Sequence, residues 1–371
     1  MIDVPVTRPS VGAEELAEIE RVMATGHLTQ GPAVAEFEAM VARYVGVEHA
    51  FATTSATTAI HLSLVALGIG PGDEVVVPAY TFPATANAVV QAGARPVLAD
   101  VDLVTFALTP ETVASAVTSR TKAVIPVDPF GYPADMAGIV AIARQEGLGV
   151  IEDAACAIGA VRAGTKCGGH PDLGCFSFHP RKVITTGEGG MITTNDDALA
   201  ERVSLLRNHG GRRVADRQRF EAAGFNYRLS DVQGAMGIAQ VRKLPHLLRR
   251  RRGLAAMLSE LLVDLPGVRP PIVEEDVDPT FQSYVVLLDR AHDRDSVIRV
   301  MRDRGVQALI GTYGLHLEPY FEHLLGVGED DFPAATIAAR HTLTLPLFPD
   351  MSERDVGRVA TTLSGALEDT A

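Results

Sequence analysis

Cysteine is scarce. Cys156, Cys167 and Cys175 are the only three in a chain of 371 residues. An odd, low number builds no disulfide framework and suits a reducing compartment. They form no CxxC pair. Cys167, His170 and Cys175 lie close together, but the glycine-rich stretch around them reads as turns, so no metal is expected. Positive charge is also short: Lys plus Arg number 33 against 46 Asp plus Glu, a net charge of −13. That balance argues against sequence-independent nucleic-acid binding. No window of about 18 uninterrupted apolar residues occurs, so no membrane-spanning helix is expected. The segment MIDVPVTRPSVGAEELAEIE carries Asp3 and Glu14 and no apolar core, so it does not read as a signal peptide. These absences point to a cytoplasmic protein. What is present is globular: 47% apolar and 21% charged residues exclude disorder and a disulfide mini-scaffold. At about 150 residues per domain, the length suits two or three domains, or one large domain with a smaller one attached.

Along the chain, short Val/Ile runs alternate with helical patterns. Residues 13–24 place Leu16, Ile19 and Met23 on one helical face, and Gly31-Pro32 opens a second helix. Helices are expected over 55–68, 83–94 and 135–147. Strands are expected at 74–78, 95–100, 123–128 and 148–153. This alternation predicts an α/β fold with a mostly parallel sheet covered on both faces. From Ser230 to about Leu265 the pattern is helical, with Pro245 expected to interrupt it. Arg249–Arg252 read as a solvated helix face or subunit contact rather than a DNA-reading element. Beyond the break at 266–271, a strand at 284–289 and a helix at 294–305 suggest a smaller α+β domain.

Ligands of open α/β sheets bind at the strand carboxyl ends. Glu152-Asp153 end one predicted strand, where an acid can face a cationic ring or a metal. In CFSFHPRKVITTGEGGMITTND (175–196), Lys182 is held between two short strands beside a glycine-rich turn. A Schiff-base lysine needs such a fixed, partly desolvated setting. Ser55-Ala56-Thr57-Thr58 open a helix, whose N–H groups and hydroxyls suit a phosphate. Each feature alone has a plain structural reading: a strand-end acid, a hairpin lysine, a helix cap. GIGPGDE (68–74) follows a helix and precedes a strand, so it is not a dinucleotide fingerprint.

In this order the segments SATTAIHLSL, GPGDEVVVPAYTFPATANAV, GARPVLADVD, VIEDAACAIGA, FSFHPRKVITTGEGGMITTND and GFNYRLSDVQGAMGIAQ resemble the DegT/DnrJ/StrS-type sugar aminotransferases of fold type I. The likeness runs from about Arg8 to about Arg252. It implies a large pyridoxal-phosphate-binding domain over 1–245, a small domain over 246–371, and a homodimer with shared active sites. It assigns Lys182 to the internal aldimine with pyridoxal 5'-phosphate and Asp153 to the pyridine nitrogen. Phe82 would stack on the ring. Thr57, Thr58 and Ser177 would cradle the phosphate, and Asn226 would reach the neighbouring subunit's cofactor. Cys156 stands where the family often has Gln or His in contact with the ring. His179, Arg213, Tyr313 and His316 are implied substrate contacts. Arg212, Arg213, Arg217 and Arg219 suit the diphosphate of a nucleotide sugar equally as a solvated loop. The implied reaction converts a keto sugar, nucleotide-linked, to an amino sugar, with L-glutamate as donor and ping-pong half-reactions. Alternatives are a keto-cyclitol acceptor, a sugar dehydratase, and a regulatory protein retaining the fold. Small-molecule partners are expected, and neither nucleic acid nor membrane.

Overall fold

The computed structural model describes residues 2–370. Helix α1 (Ala13–Thr25) and helix α2 (Pro32–Val45) lead in, with Pro32 at a first-turn position that needs no N–H. The central sheet has seven strands: β1 (His49–Thr53), β2 (Glu74–Pro78), β3 (Arg95–Ala99), β4 (Thr121–Val124), β5 (Gly149–Asp153), β6 (Leu173–Ser177) and β7 (Gly190–Thr194). Their order is β1-β7-β6-β5-β4-β2-β3. Only β7 runs against the others. The β-branched runs behave as buried parallel strands should. Val75, Val76 and Val77 of β2 are fully buried, and each such side chain stabilises the fold by about 1.5–3 kcal/mol. Helix α3 (Ala56–Ala66) covers one face of the sheet, and α1, α2 and the first half of the long helix Asp231–Leu262 cover the other side of β1, β6 and β7.

Three expectations change. Leu16 and Met23 do not face inward; they are 58% and 56% exposed, while Glu15 and Val22 of α1 are buried. Glu15 turns the helix because its carboxylate accepts from Gly12 N–H (2.7 Å) and from Gln240 Nε2 (2.7 Å), and pairs with Lys243. Pro245 does not interrupt the long helix, which continues from Asp231 to Leu262 across the expected domain boundary. Buried Leu244, Leu247 and Leu248 hold it through the missing N–H. The arginine run is a solvated face only in part: Arg249 and Arg250 are exposed, but Arg251 is not. Arg251 is 1% exposed, and its Nη1 donates to the carbonyls of Phe281 (3.0 Å), Gln282 (3.3 Å) and Leu347 (3.0 Å). Arg250 and Arg252 likewise donate to main-chain carbonyls. Guanidinium is a fork of donors, and here it staples loops that offer only acceptors.

The C-terminal part holds a four-stranded antiparallel sheet of Val268–Arg269, Tyr284–Leu288, Thr342–Leu345 and Leu309–Ile310. The second half of the long helix and the helices Arg294–Asp303 and Glu353–Asp369 share its core. Among the described residues, no helix is long and apolar enough to cross a membrane.

Candidate active site

The carboxyl ends of β1, β2, β4, β5 and β6 all reach one edge of the sheet, and β7 starts there. Register sets the details. Thr53 of β1 lies opposite Gly190 of β7, and Gly190 lies opposite Ser177 of β6. Helix α3 begins just after β1, so its N-terminus lands beside Ser177. Gly190 permits this approach: a Cβ there would sit 2.4 Å from the carbonyl of Ser55 and 2.7 Å from the Ala56 nitrogen. Ser55 caps α3, its Oγ accepting from Thr58 N–H (3.1 Å). Thr58 Oγ1 is itself engaged with Ser55 N–H (3.0 Å) and the Ser55 carbonyl (2.9 Å). The N–H groups that remain free at this helix end favour an anion.

A cavity of about 450 Å³ opens over this edge. Ser55, Thr57, Phe82, Asp153, Cys156, Ser177, His179 and Lys182 all line it. Asp153 ends β5 and is 6% exposed. Its Oδ2 accepts from Thr85 Oγ1 (2.7 Å) and its Oδ1 from Ala155 N–H (3.2 Å). Burial pushes its pKa up, against those two hydrogen bonds and the charge of Lys182. A carboxylate so placed stabilises a cation in contact with it. Lys182 lies on the connection from β6 to β7, and its Nζ is 3.0 Å from Cys156 Sγ. Burial lowers the pKa of His179, opposed by the charge of Glu188, 4.0 Å away. Phe82 is 63% exposed and meets Tyr313 edge-on, with centroids 6.1 Å apart.

Other expected residues lie elsewhere. Thr58 is not at the cavity wall, because its hydroxyl belongs to the cap. Asn226 pairs with Asn208 in a β-bridge away from the cavity. Arg213 stands on an exposed hairpin, Gly211–Val214 against Arg217–Phe220. Tyr313 touches the site only through Phe82. His316 is not a pocket residue: it is 1% exposed, Nε2 2.7 Å from Thr336 Oγ1, and burial lowers its pKa. Its neighbours on the chain gave it an apolar setting that spacing alone did not reveal.

Several lining residues carried no sequence signal, among them Gln282, Ser283 and Thr312 from the C-terminal part. Thr85 was legible in principle, as a hydroxyl in the first turns after a strand end. Asp128 lies beneath the cavity with Glu152 and Cys167; their ligand atoms lie within 4.8 Å of one another. This cluster, rather than Cys167 with His170 and Cys175, is the grouping of metal-ligating types among the described residues. Asp128 Oδ2 and Glu152 Oε1 are buried without another partner. Burial pushes Asp128 up to about 6 and Glu152 well above the usual carboxylate range. Burial and the charge of the neighbouring Asp128 both favour the protonated form of Glu152.

The donor set fits pyridoxal phosphate. An amine and a carboxylate converge on one cavity, an aromatic ring borders it, and a capped helix N-terminus with Ser177 closes one side. Comparison with known proteins agrees. Residues 9–364 match the model of the DegT/DnrJ/EryC1/StrS aminotransferase family. The spore coat polysaccharide biosynthesis protein SpsC of Bacillus subtilis is 36% identical over 368 residues, covering 96% of this chain and 95% of that protein. GDP-perosamine synthase of Caulobacter vibrioides is 39% identical over 377 residues, covering 99% and 100%. The crystal structure of the aminotransferase TlmJ from Streptoalloteichus hindustanus superposes with a TM-score of 0.93 at 36% identity, covering 100% of this chain and 99% of that one. A match over nearly the whole chain, on a site built for the same cofactor, leads to one conclusion: the chain belongs to the DegT/DnrJ/EryC1/StrS family of pyridoxal-phosphate-dependent sugar aminotransferases.

Proposed function

We propose that the protein aminates a keto sugar carried on a nucleotide, with L-glutamate as amino donor, in the cytoplasm and as a homodimer. The observation that carries this reading is the convergence of Lys182, Asp153 and the α3 N-terminus on one cavity. Bound pyridoxal phosphate supplies an electrophilic carbon and a ring that accepts electrons from the substrate carbon. Lys182 would hold the cofactor, and its Nζ would move the proton at the substrate Cα. Asp153 would favour a proton on the ring nitrogen, and Thr85 holds its carboxylate in place. Thr57, Ser177 and the first N–H groups of α3 hold the phosphate, and the Ser55–Thr58 cap fixes that turn. Phe82, at the cavity wall, would meet the ring. Cys156, 3.0 Å from Lys182 Nζ, borders the amine where the cofactor would join it.

The acceptor reading rests on the relatives and on the exposed hairpin. GDP-perosamine synthase is named for a nucleotide-linked amino sugar. Arg213, Arg217 and Arg219 are exposed on that hairpin, where guanidinium groups suit a diphosphate. In this reading Asn226 and the hairpin serve a neighbouring subunit's site. The test is the visible spectrum with pyridoxal phosphate, before and after L-glutamate. The wild type should show a yellow band that bleaches as the amine form accumulates. Lys182→Ala should lose turnover altogether; substantial remaining activity with glutamate would refute the role given to Lys182.

A further inference from the structure

A second space of about 140 Å³ adjoins the main cavity. The two share Arg181, Gln282, Ser283 and Gly311 at their boundary. At roughly 10–15 Å³ per water-sized group, the side pocket holds about ten such groups, the size of an amino acid and far less than a nucleotide sugar.

Arg181 is exposed at this boundary, next in sequence to Lys182. Only its main chain is engaged. Its N–H donates to His179 Nδ1 (3.2 Å), and its carbonyl accepts from Gln282 Nε2 (3.0 Å). The guanidinium has no carboxylate partner among the described residues, and it is the one arginine that borders either space. The backbone that carries it is fixed. Buried Arg251 binds the Gln282 carbonyl, and Gln282 in turn holds Arg181. Deeper in, Gln307 lines the pocket; its Oε1 accepts from Val6 N–H (3.0 Å), which leaves Nε2 free to donate. Leu309, Ile310 and Leu345 supply apolar wall between the two polar ends.

We propose that this is the amino-donor subsite. Arg181 takes the α-carboxylate of an amino acid, and the side pocket takes its side chain. The donor class that fits is a dicarboxylic amino acid: apolar methylenes against Leu309 and Leu345, and a terminal carboxylate against Gln307 Nε2. The proposal rests on the aminotransferase reading above and adds the residues that choose the donor.

The test uses holoenzyme loaded with pyridoxal phosphate. L-glutamate is titrated in stopped flow while the yellow band bleaches, for wild type, Arg181→Gln and Leu309→Phe. Loss of a charge-assisted contact should raise the half-saturating glutamate concentration about 10- to 100-fold in Arg181→Gln. Leu309→Phe, which fills the side pocket without bordering the main cavity, should also weaken glutamate. Cofactor affinity, read from the same band, should stay at the wild-type value in both. Unchanged glutamate dependence in Arg181→Gln overturns the proposal. So does a parallel loss of pyridoxal phosphate, which would put Arg181 on the cofactor. A wild-type holoenzyme that no amino acid bleaches overturns the aminotransferase reading itself. A wild type that bleaches while Arg181→Gln bleaches identically overturns the donor subsite alone.

Discussion

Replacing Glu152 by Gln tests the buried acid pair under the cofactor site. Asp128 and Glu152 are both fully buried, and Asp128 Oδ2 and Glu152 Oε1 lack any other partner. Two negative charges at the 4.8 Å limit of this cluster would repel by about 3–4 kcal/mol at an effective dielectric near 20. One proton removes that cost. In the unfolded chain both acids ionise near pH 4. In the folded protein the pKa of Asp128 rises to about 6 and that of Glu152 rises further, both through burial. Above about pH 4.5 the folded state therefore binds more protons than the unfolded state. The stabilisation is complete below that pH and is lost as pH rises through the folded values, by about 1.4 kcal/mol per pH unit per retained proton. Glutamine carries its own N–H toward Asp128, and its oxygen can keep the bond from Gly168 N–H, 2.7 Å in the wild type. Glu152→Gln should match the wild type at low pH and lack the part of this slope that Glu152 contributes, while Asp128 keeps its own. As pH rises above about 4.5 the variant should gain stability relative to the wild type, at no more than about 1.4 kcal/mol per pH unit. Urea unfolding of both proteins at a series of pH values measures the difference. Parallel stability curves would refute a protonated Glu152 in the folded state, and a variant equally destabilised at every pH would show that the carboxylate itself is required.

Three further outcomes are expected. Thr85→Val removes the 2.7 Å hydrogen bond to Asp153; a lost charge-assisted bond of about 1.5–3 kcal/mol should slow the glutamate half-reaction about 10- to 100-fold, read by stopped flow, with thermal stability little changed. Gly190→Ala puts a methyl 2.4 Å from the Ser55 backbone, so it should cost about 1–3 kcal/mol of stability and weaken pyridoxal phosphate, measured by fluorescence titration. Arg251→Met strands the carbonyls of Phe281, Gln282 and Leu347. At about 1–3 kcal/mol for each buried unsatisfied group, against relief of a desolvated cation whose pKa burial lowers to about 10, it should cost a net amount of about 2–4 kcal/mol in chemical denaturation.

The sheet was readable because its strands are buried on both faces: EVVVP and LGVIED are nearly continuous apolar runs, and no other element demands that pattern. The site was readable where chemistry sits on short local signals, as with Asp153 at a strand end and Lys182 beside a glycine turn. It was not readable where a residue's role depends on distant chain. Gln282 reaches the site only because Arg251 pins its carbonyl, and that bond spans a helix and a loop. Arg251 itself looked solvated because charge argues for the surface, and nothing local announces three carbonyl acceptors. Leu16 and Met23 have helical spacing, but Glu15 won the inward face through Gln240 and Lys243. In each case a polar side chain with several partners overrode the apolar pattern.

The uninterrupted helix Asp231–Leu262 has a consequence for how this enzyme can diversify. Thirty-two residues make a rod about 48 Å long. Near one end Asp231 accepts from the N–H groups of Gly31 (2.8 Å) and Val34 (3.0 Å); farther along, Arg251 grips loops that wall the catalytic cleft. Bending at Pro245 would strip one set of bonds or the other. The rod therefore acts as a gauge block that fixes the spacing between the sheet and the C-terminal wall. With that span held constant, the parts that hang free of it, the arginine hairpin at 211–220 and the exposed Tyr313, can vary without disturbing the frame. Change there is a change of trim on a rigid chassis, with Lys182 and Asp153 left untouched.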